Sequence, residues 1–239
     1  MPDPMPHEAW AEVYDLAYEQ EFGAYYGYLT EQTLEVVGSL VGPGADVVDF
    51  GAGTGRLATP LAGAGHRVVA VEPSASMLER LRDPPQGPPV QRVCCAMQDF
   101  SSPARFDLAL CVFTVVIYLL DEAALDAAMA RAAACLRPGG RLLLDVPALG
   151  AFRSRQARTA KLTREVTVEP ASGSLFDYRE RIVVHQGPLA GTYEDTFNIR
   201  HWPSSQVLAS AAGCGLKVQQ ELTHLFSGTG AEYWVLGRD

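Results

Sequence analysis

The sequence predicts an α/β fold, a parallel sheet covered by helices on both faces. Two observations carry this. Between residues 45 and 147, short apolar runs alternate five times with segments of helical or turn character, the pattern of strands joined by crossover helices. One of these runs, "VVDF", breaks into glycines at 51, 53 and 55 and resumes with helical spacing in "RLATPLA", a strand, tight turn and helix in succession.

From His7 to Leu40 the text has helical period, with Trp10, Tyr14, Leu16 and Ala17 near one face and Leu29, Leu34, Val37 and Leu40 on another, until "VGPG" stops it. "ADVVDF" is a first strand, "GRLATPLAGAG" a helix ending in glycine and "HRVVAVEP" a second strand. "SASMLERLRD" reads as a helix opened by a serine cap and closed by "DPPQGPP". "VQRVCCA" and "FDLALCVF" are the third and fourth strands, "DEAALDAAMARAAACL" a long helix, "RPGG" its stop and "RLLLDVP" a fifth strand. Beyond Pro147 the texture changes. "LTREVTVE", "YRERIVVHQ" and "TYEDTFNIRHW", separated by "PASGS" and "GPLAG", predict an antiparallel meander of roughly three strands. "SSQVLASAAGCG" is a last helix with serine caps at its start, and "LKVQQELTHLF" and "AEYWVLGR" are closing strands.

With 239 residues, 48% hydrophobic and 20% charged, the chain has the composition of a globular protein able to bury a core. Its net charge of −9, from 19 basic against 28 acidic residues, argues against a nucleic-acid partner. No apolar run approaches the ~18–20 residues needed to span a bilayer, and "MPDPMPHEAW" lacks the layout of a signal peptide, so a cytoplasmic location and no membrane partner are expected. The five cysteines form no CxxC pair and the five histidines show no ligand spacing, so neither a disulfide framework nor a metal site is expected.

Glycines at 51, 53 and 55 allow a tight turn and close approach of a ligand to the backbone, and the helix N-terminus beyond favours an anionic group. Glu72 lies at the end of the next strand, about 20 residues on, where an acid can accept hydrogen bonds from both hydroxyls of a ribose. Asp49 precedes the first glycine and disfavours a pyrophosphate, and Arg56 stands where a nicotinamide fingerprint needs a small residue. A ligand with a cationic centre and an amino group suits this turn better, and S-adenosylmethionine has both.

"VVDFGAGTGRLATPLA", "VVAVEPSASML", "CAMQDF", "FDLALCVFTVVIYL" and "LRPGGRLLLDVP" resemble, in order, the successive motifs of class I S-adenosylmethionine-dependent methyltransferases, over roughly residues 45 to 147. The resemblance implies a Rossmann-like, doubly wound seven-stranded sheet whose last strand is antiparallel, with the methyl donor across the C-terminal strand ends. It divides the chain into an N-terminal helical lid (1–42), a donor-binding core (43–150 and 204–239) and an inserted antiparallel cap (151–203). Tyr14, Asp49, Gly51, Ala52, Gly53, Thr54 and Gly55 are implied around the methionine part of the cofactor. Glu72 is implied at the ribose, Pro73, Met77, Ala96, Met97 and Gln98 at the adenosine, and Cys111 and Phe113 beside them. Ala96 departs from the acid that many relatives carry there, which leaves the adenine amino group to a backbone carbonyl or to a register one residue away.

The segment after the fourth strand lacks both the Asp/Asn-Pro-Pro-Tyr/Phe of enzymes that methylate exocyclic amines of nucleic acids and the Pro-Cys pair of those using a cysteine nucleophile. Cys111 therefore reads as a packed small residue, and Phe113, Val115 and Ile117 as a water-free wall. Tyr14, in "VYDLAY", matches a Tyr-Asp segment of small-molecule relatives that include amino-sugar N-methyltransferases, and is the candidate catalytic residue. Tyr118, Arg200, His201 and Trp202 are candidate substrate contacts. Arg153, Arg155, Arg158, Lys161 and Arg164 read either as a solvated basic face or as a handle for an anion. The expected activity is methyl transfer to the nitrogen or oxygen of a small molecule, yielding S-adenosylhomocysteine. A methyltransferase acting on RNA or protein and a non-catalytic cofactor-binding homologue are the alternatives, and monomer and homodimer stay equally open.

Overall fold

The computed structural model describes residues 5–239; the first four residues of the 1–42 segment lie outside the described residues. A 3-10 turn at Glu8–Val13 leads into α1 (Tyr14–Phe22) and α2 (Ala24–Leu40), broken by Gly23 at φ 53°. There follow β1 (Asp46–Phe50), α3 (Ala58–Gly63), β2 (Arg67–Val71), α4 (Ala75–Arg80), β3 (Gln91–Val93) and β4 (Phe106–Cys111). α5 (Glu122–Cys135) and β5 (Leu136–Pro147) complete the first half. The second half has β6 (Arg155–Arg158), β7 (Leu162–Pro170), β8 (Leu175–Val184), β9 (Gly191–Arg200), α6 (Ser204–Gly213), β10 (Leu216–Glu221) and β11 (Ala231–Arg238).

The main sheet has seven strands in the order β10-β11-β5-β4-β1-β2-β3, with β11 antiparallel to both neighbours and the other strands of the sheet parallel. β1 and β4 lie at its centre and read as unbroken apolar runs because both faces are covered. One face packs α5 and α6 around Phe50, Phe106, Met129 and Leu144; the other packs α2 and α3 around Val47, Leu61, Leu108 and Tyr233. The strand order reverses between β1 and β4, which opens the crevice where ligands bind in such sheets.

Three local expectations are corrected. The helix α5 ends at Cys135, but "RPGG" belongs to β5, where Phe106 pairs Leu136 and Leu108 pairs Arg141, so the four residues bulge out of the ladder instead of separating it from the helix. The last helix is preceded by Pro203, with no side-chain cap from its serines. The meander has four strands, in the order β6-β7-β8-β9, and the added one is the basic stretch at Arg155–Arg158.

This second sheet is where period 2 overrides charge. Leu162, Arg164, Val166 and Val168 all face inward on β7, as do Tyr178, Glu180, Ile182 and Val184 on β8. Arg164, 1% exposed, must therefore be paired, and it donates to Glu180 of β8 and to Glu21 of α1. Arg155 reaches the same Glu21 at 2.8 Å. Neither a solvated face nor a free anion handle describes these two arginines. They fasten α1 to the inserted sheet, beside the apolar contact of Trp10, Val13 and Ala17 with Leu162, Ile182 and Val184. Removing one partner of a buried pair strands a charge, at a cost of about 3–5 kcal/mol. Arg164→Met should lose stability of that order in urea denaturation, and adding Glu180→Gln should restore part of it.

Candidate active site

A cavity of about 350 Å³ opens at the C-terminal ends of β1, β4 and β5, the size of a small-molecule site. Its floor is the glycine turn. Gly51 has φ 68° and donates its N–H to Val71 O at 2.8 Å; a Cβ there would stand 2.5 Å from Val115 Cγ2. Gly53, at φ 57°, donates to Glu72 Oε2 at 3.0 Å, and Glu72 Oε1 accepts the Ser74 N–H at 3.0 Å. Glu72 thus ties the turn to the start of α4, with a lone pair left on each oxygen. Burial pushes its carboxyl up, and the two N–H groups pull it back.

The wall after β4 is strained. Phe113 and Thr114 both hold left-handed backbone, φ 64° and 72°, which costs a side-chain-bearing residue about 1–3 kcal/mol each. The carboxylate of Asp145, at the end of β5, holds them there by accepting the Thr114 N–H at 3.0 and 3.1 Å. Over the Phe113 ring, 3.3 Å from its centroid, lies the guanidinium of Arg56, which also faces the Tyr26 ring at 4.3 Å. The roof comes from α1 and α2 through Tyr14, Tyr18 and Tyr26, and from the inserted sheet through Tyr178 and Ile199. Tyr14 stacks between Trp10 and Tyr18 with centroids 5.1 and 4.6 Å apart, and Thr54 of the glycine turn donates to Asp15 at 2.7 Å, closing α1 onto the core.

Of the residues singled out from sequence, Tyr14, Asp49, Gly51, Ala52, Gly53, Thr54, Phe113 and Tyr118 line this cavity together. Glu72, Pro73, Met77, Ala96, Met97, Gln98 and Cys111 do not line it; they cluster at the ends of β2, β3 and β4 on the far side of the turn. There Cys111 Sγ packs 3.8 Å from Met97 Sδ, Met77 N–H donates to the Ser74 cap and the Ala96 carbonyl accepts the Asp99 N–H at 3.0 Å. Gly55 lies in the turn against Leu81. Arg200, His201 and Trp202 stand outside the cavity. Trp202 is 2% exposed and donates to Leu119 O at 2.8 Å, Arg200 donates to Leu120 O at 3.0 Å with its plane over the Trp202 ring, and His201 packs its ring on Phe152.

Sequence reasoning missed Asp145 as a cavity residue and saw Arg56 only as an obstacle to a nicotinamide site. A strand-end acid could have been suspected from "LLLDVP", since an acid inside an apolar strand covered on both faces must find partners. Asp49 is 4% and Asp145 1% exposed. Burial pushes each carboxyl up to about 7, against the pull of the Arg56 charge on both and of the Thr114 N–H on Asp145. The sign for stability follows. Between pH ~4, where an unfolded Asp ionises, and 7, the unfolded chain releases the proton that the folded chain retains, so stability falls as pH rises through that window. Asp49→Asn should raise Tm, by more at pH 8 than at pH 5, each kcal/mol relieved being worth about 2–4 °C in a chain of this size; scanning calorimetry checks it.

The residues present fit S-adenosylmethionine. Nη2 of Arg56 is buried without a hydrogen-bond partner, which suits a carboxylate, and Asp49 offers a buried carboxyl to an ammonium. Gly51 and Gly53 hold the turn at positive φ, with both residues in the cavity lining. Among the described residues no cluster of metal-ligating side chains was found and no helix is long and apolar enough to cross a membrane.

The model of the family described as "Methyltransferase domain" matches residues 47–140. An uncharacterized methyltransferase of Geobacillus kaustophilus is 30% identical over 154 residues, 63% of this chain and 67% of that protein. The dTDP-3-amino-3,6-dideoxy-alpha-D-glucopyranose N,N-dimethyltransferase of Streptomyces fradiae is 31% identical over 135 residues, 56% of this chain and 52% of that one. The fold is also that of CalS10, a S-adenosylmethionine-bound amino pentose methyltransferase from Micromonospora echinaspora, with a TM-score of 0.74 at 22% identity over 95% of this chain and 97% of that one. With the glycine turn, its acids and the seven-stranded sheet, these likenesses place the chain among the class I S-adenosylmethionine-dependent methyltransferases.

Proposed function

We propose that the chain methylates a nitrogen or oxygen of a small molecule, with the amine of an amino sugar as the favoured acceptor. The observation that carries this reading is the cavity's size and roof. Tyrosines from α1, α2 and β8 cover it over the glycine turn, and its volume of about 350 Å³ suits a small acceptor. RNA or a folded protein would need an open groove, and a net charge of −9 repels the former. The names of the Streptomyces and Micromonospora proteins favour the sugar amine.

When bound, the cofactor supplies a methyl group on a cationic sulfur, open to in-line attack by the acceptor. In this reading Asp49 holds the ammonium, Arg56 the carboxylate and Glu72 the ribose hydroxyls, while Met77, Met97 and Gln98 flank the adenosine. The Tyr14 hydroxyl and the Phe113 ring are the groups that would meet the cationic centre, a ring contact of this kind being worth ~0.5–2 kcal/mol depending on desolvation. Residues 1–42 and 151–203 act as lid and cap, excluding water from the displacement and holding the two reactants in line.

Release of S-adenosylhomocysteine from the wild-type enzyme, offered nucleotide-linked and free amino sugars beside a tRNA and a peptide pool, tests the acceptor class; turnover confined to tRNA or peptide would reject it. Glu72→Ala should weaken S-adenosylhomocysteine binding about tenfold to several-hundredfold in calorimetry, from charge-assisted hydrogen bonds at ~1.5–3 kcal/mol each. A change within twofold would leave Glu72 only its backbone role. Because Asp49 ionises near pH 7 in the free protein, affinity should rise with pH up to about 7 and then level off, and Asp49→Asn should flatten the profile. Tyr14→Phe and Tyr14→Ala separate hydroxyl from ring. Loss of turnover in Phe with cofactor affinity kept assigns the hydroxyl; weakened cofactor binding in Ala alone assigns the ring.

A further inference from the structure

Among the described residues, Tyr118 alone of the cavity tyrosines has a ring nitrogen against its hydroxyl. His7 Nε2 stands 2.7 Å from Tyr118 Oη. His7 lies outside the cavity, at the start of the N-terminal segment, with backbone at φ 67° and its N–H donated to Asp195 Oδ2 of β9 at 2.7 Å. Aromatic edges surround its ring, from Trp10, Tyr14, Tyr118 and Phe197. Its other nitrogen, Nδ1, is buried with no hydrogen-bond partner, 4.0 Å from Glu180 Oε2, which is buried and without a partner too.

The direction of the Tyr118–His7 hydrogen bond can be argued from that second contact. A neutral imidazole carries one proton. With it on Nε2, the bare lone pair of Nδ1 would face a carboxylate oxygen across a dry gap; with it on Nδ1, an N–H dipole faces that oxygen. The second is favoured electrostatically at low dielectric. Nε2 then has only a lone pair to offer, and the Tyr118 hydroxyl must donate to it. A hydroxyl that donates inward keeps its own oxygen lone pairs for the cavity.

Resting on the reading of this cavity as a methyl-transfer site, we infer that His7 is a positioning residue which turns Tyr118 into a fixed hydrogen-bond acceptor, so that the enzyme selects acceptors whose nucleophilic nitrogen carries an N–H. Primary and secondary amines meet that requirement. Tertiary amines and thioethers do not. Donation of the amine's N–H to Tyr118 Oη restrains the nitrogen while its lone pair forms the bond to the methyl carbon and the carbon–sulfur bond breaks with its electron pair going to sulfur. The proton stays on the product ammonium and passes to solvent after release. The device does not switch in the neutral range. Burial, and then the charge of Arg164, hold His7 down at about 3, while the carboxylates of Glu180 and Asp195 and the hydroxyls of Tyr14 and Tyr118 are the remaining titratable groups facing it.

Nitrogen NMR of the full chain, labelled with 15N-histidine, tests the inference without a known acceptor. His7 should show a proton on Nδ1 and none on Nε2, unchanged from pH 5 to 8, and Tyr118→Phe should shift its Nε2 resonance while leaving Nδ1 protonated. Loss of the signal in His7→Gln assigns it; should that variant not fold, single replacements of His66, His185, His201 and His224 assign it by elimination. A proton on Nε2, or an Nε2 resonance indifferent to Tyr118→Phe, would overturn the inference and leave the methyl-transfer reading intact. S-adenosylhomocysteine release from the wild type fed N,N-dimethylamino sugars would overturn it as well. Failure of the wild type to bind S-adenosylhomocysteine in calorimetry would instead remove the methyl-transfer reading, and this inference with it.

Discussion

The guanidinium of Arg56 is where the separate parts of this molecule meet. It lies between the rings of Tyr26, on α2, and Phe113, after β4, and its charge acts on the buried carboxyls of Asp49 and Asp145 at the ends of β1 and β5. Each of these groups is costly alone. A buried acid without a nearby cation would stay protonated well above its ordinary range, and a buried cation without acids would be worse. Together they form a polar floor with one hydrogen-bonding group left over, the buried Nη2 of Arg56, in a residue that lines the cavity. A zwitterionic ligand supplies what the floor lacks, an anion for the arginine and a cation for the carboxyls. That incomplete internal pairing sits on a sheet that is apolar on both faces.

The central strands were legible because burial on both faces leaves an unbroken apolar signature, as in "ADVVDF" and "FDLALC". The glycine turn was legible because Gly51 and Gly53 hold positive φ where side chains are disfavoured. What stayed hidden has one physical character: polar groups placed inside by topology. β6, "RQAR", has no apolar residue larger than alanine and forms only because β7 offers it an edge. Arg164 falls on the buried face of β7 by alternation, yet its partners Glu21 and Glu180 lie 143 and 16 residues away, beyond any local pattern. Arg200 and Trp202 read in the sequence as substrate contacts, whereas the structure places them outside the cavity as a strap onto the carbonyls of Leu120 and Leu119.

These hidden contacts hold α1 in place. α1 is bound to the inserted sheet by Arg155 and Arg164 through Glu21, and to the glycine turn by Asp15 through Thr54. A helix held on two sides does not swing freely, and its aromatic column of Trp10, Tyr14 and Tyr18 adds stacking along the same line. The rest of the cavity rim has fewer ties: Phe152 and Arg153 follow a single turn at Leu149–Ala151, and Tyr25 donates to Ser227 O at 2.8 Å. Leu149 is 57% exposed there, a large apolar side chain left in water at the rim. Opening at this point breaks few hydrogen bonds and leaves the Arg56 floor undisturbed. The molecule thus concentrates its rigidity where charges must be matched, at the Arg56 floor and along α1, and leaves the rim at residues 149–153 with fewer ties.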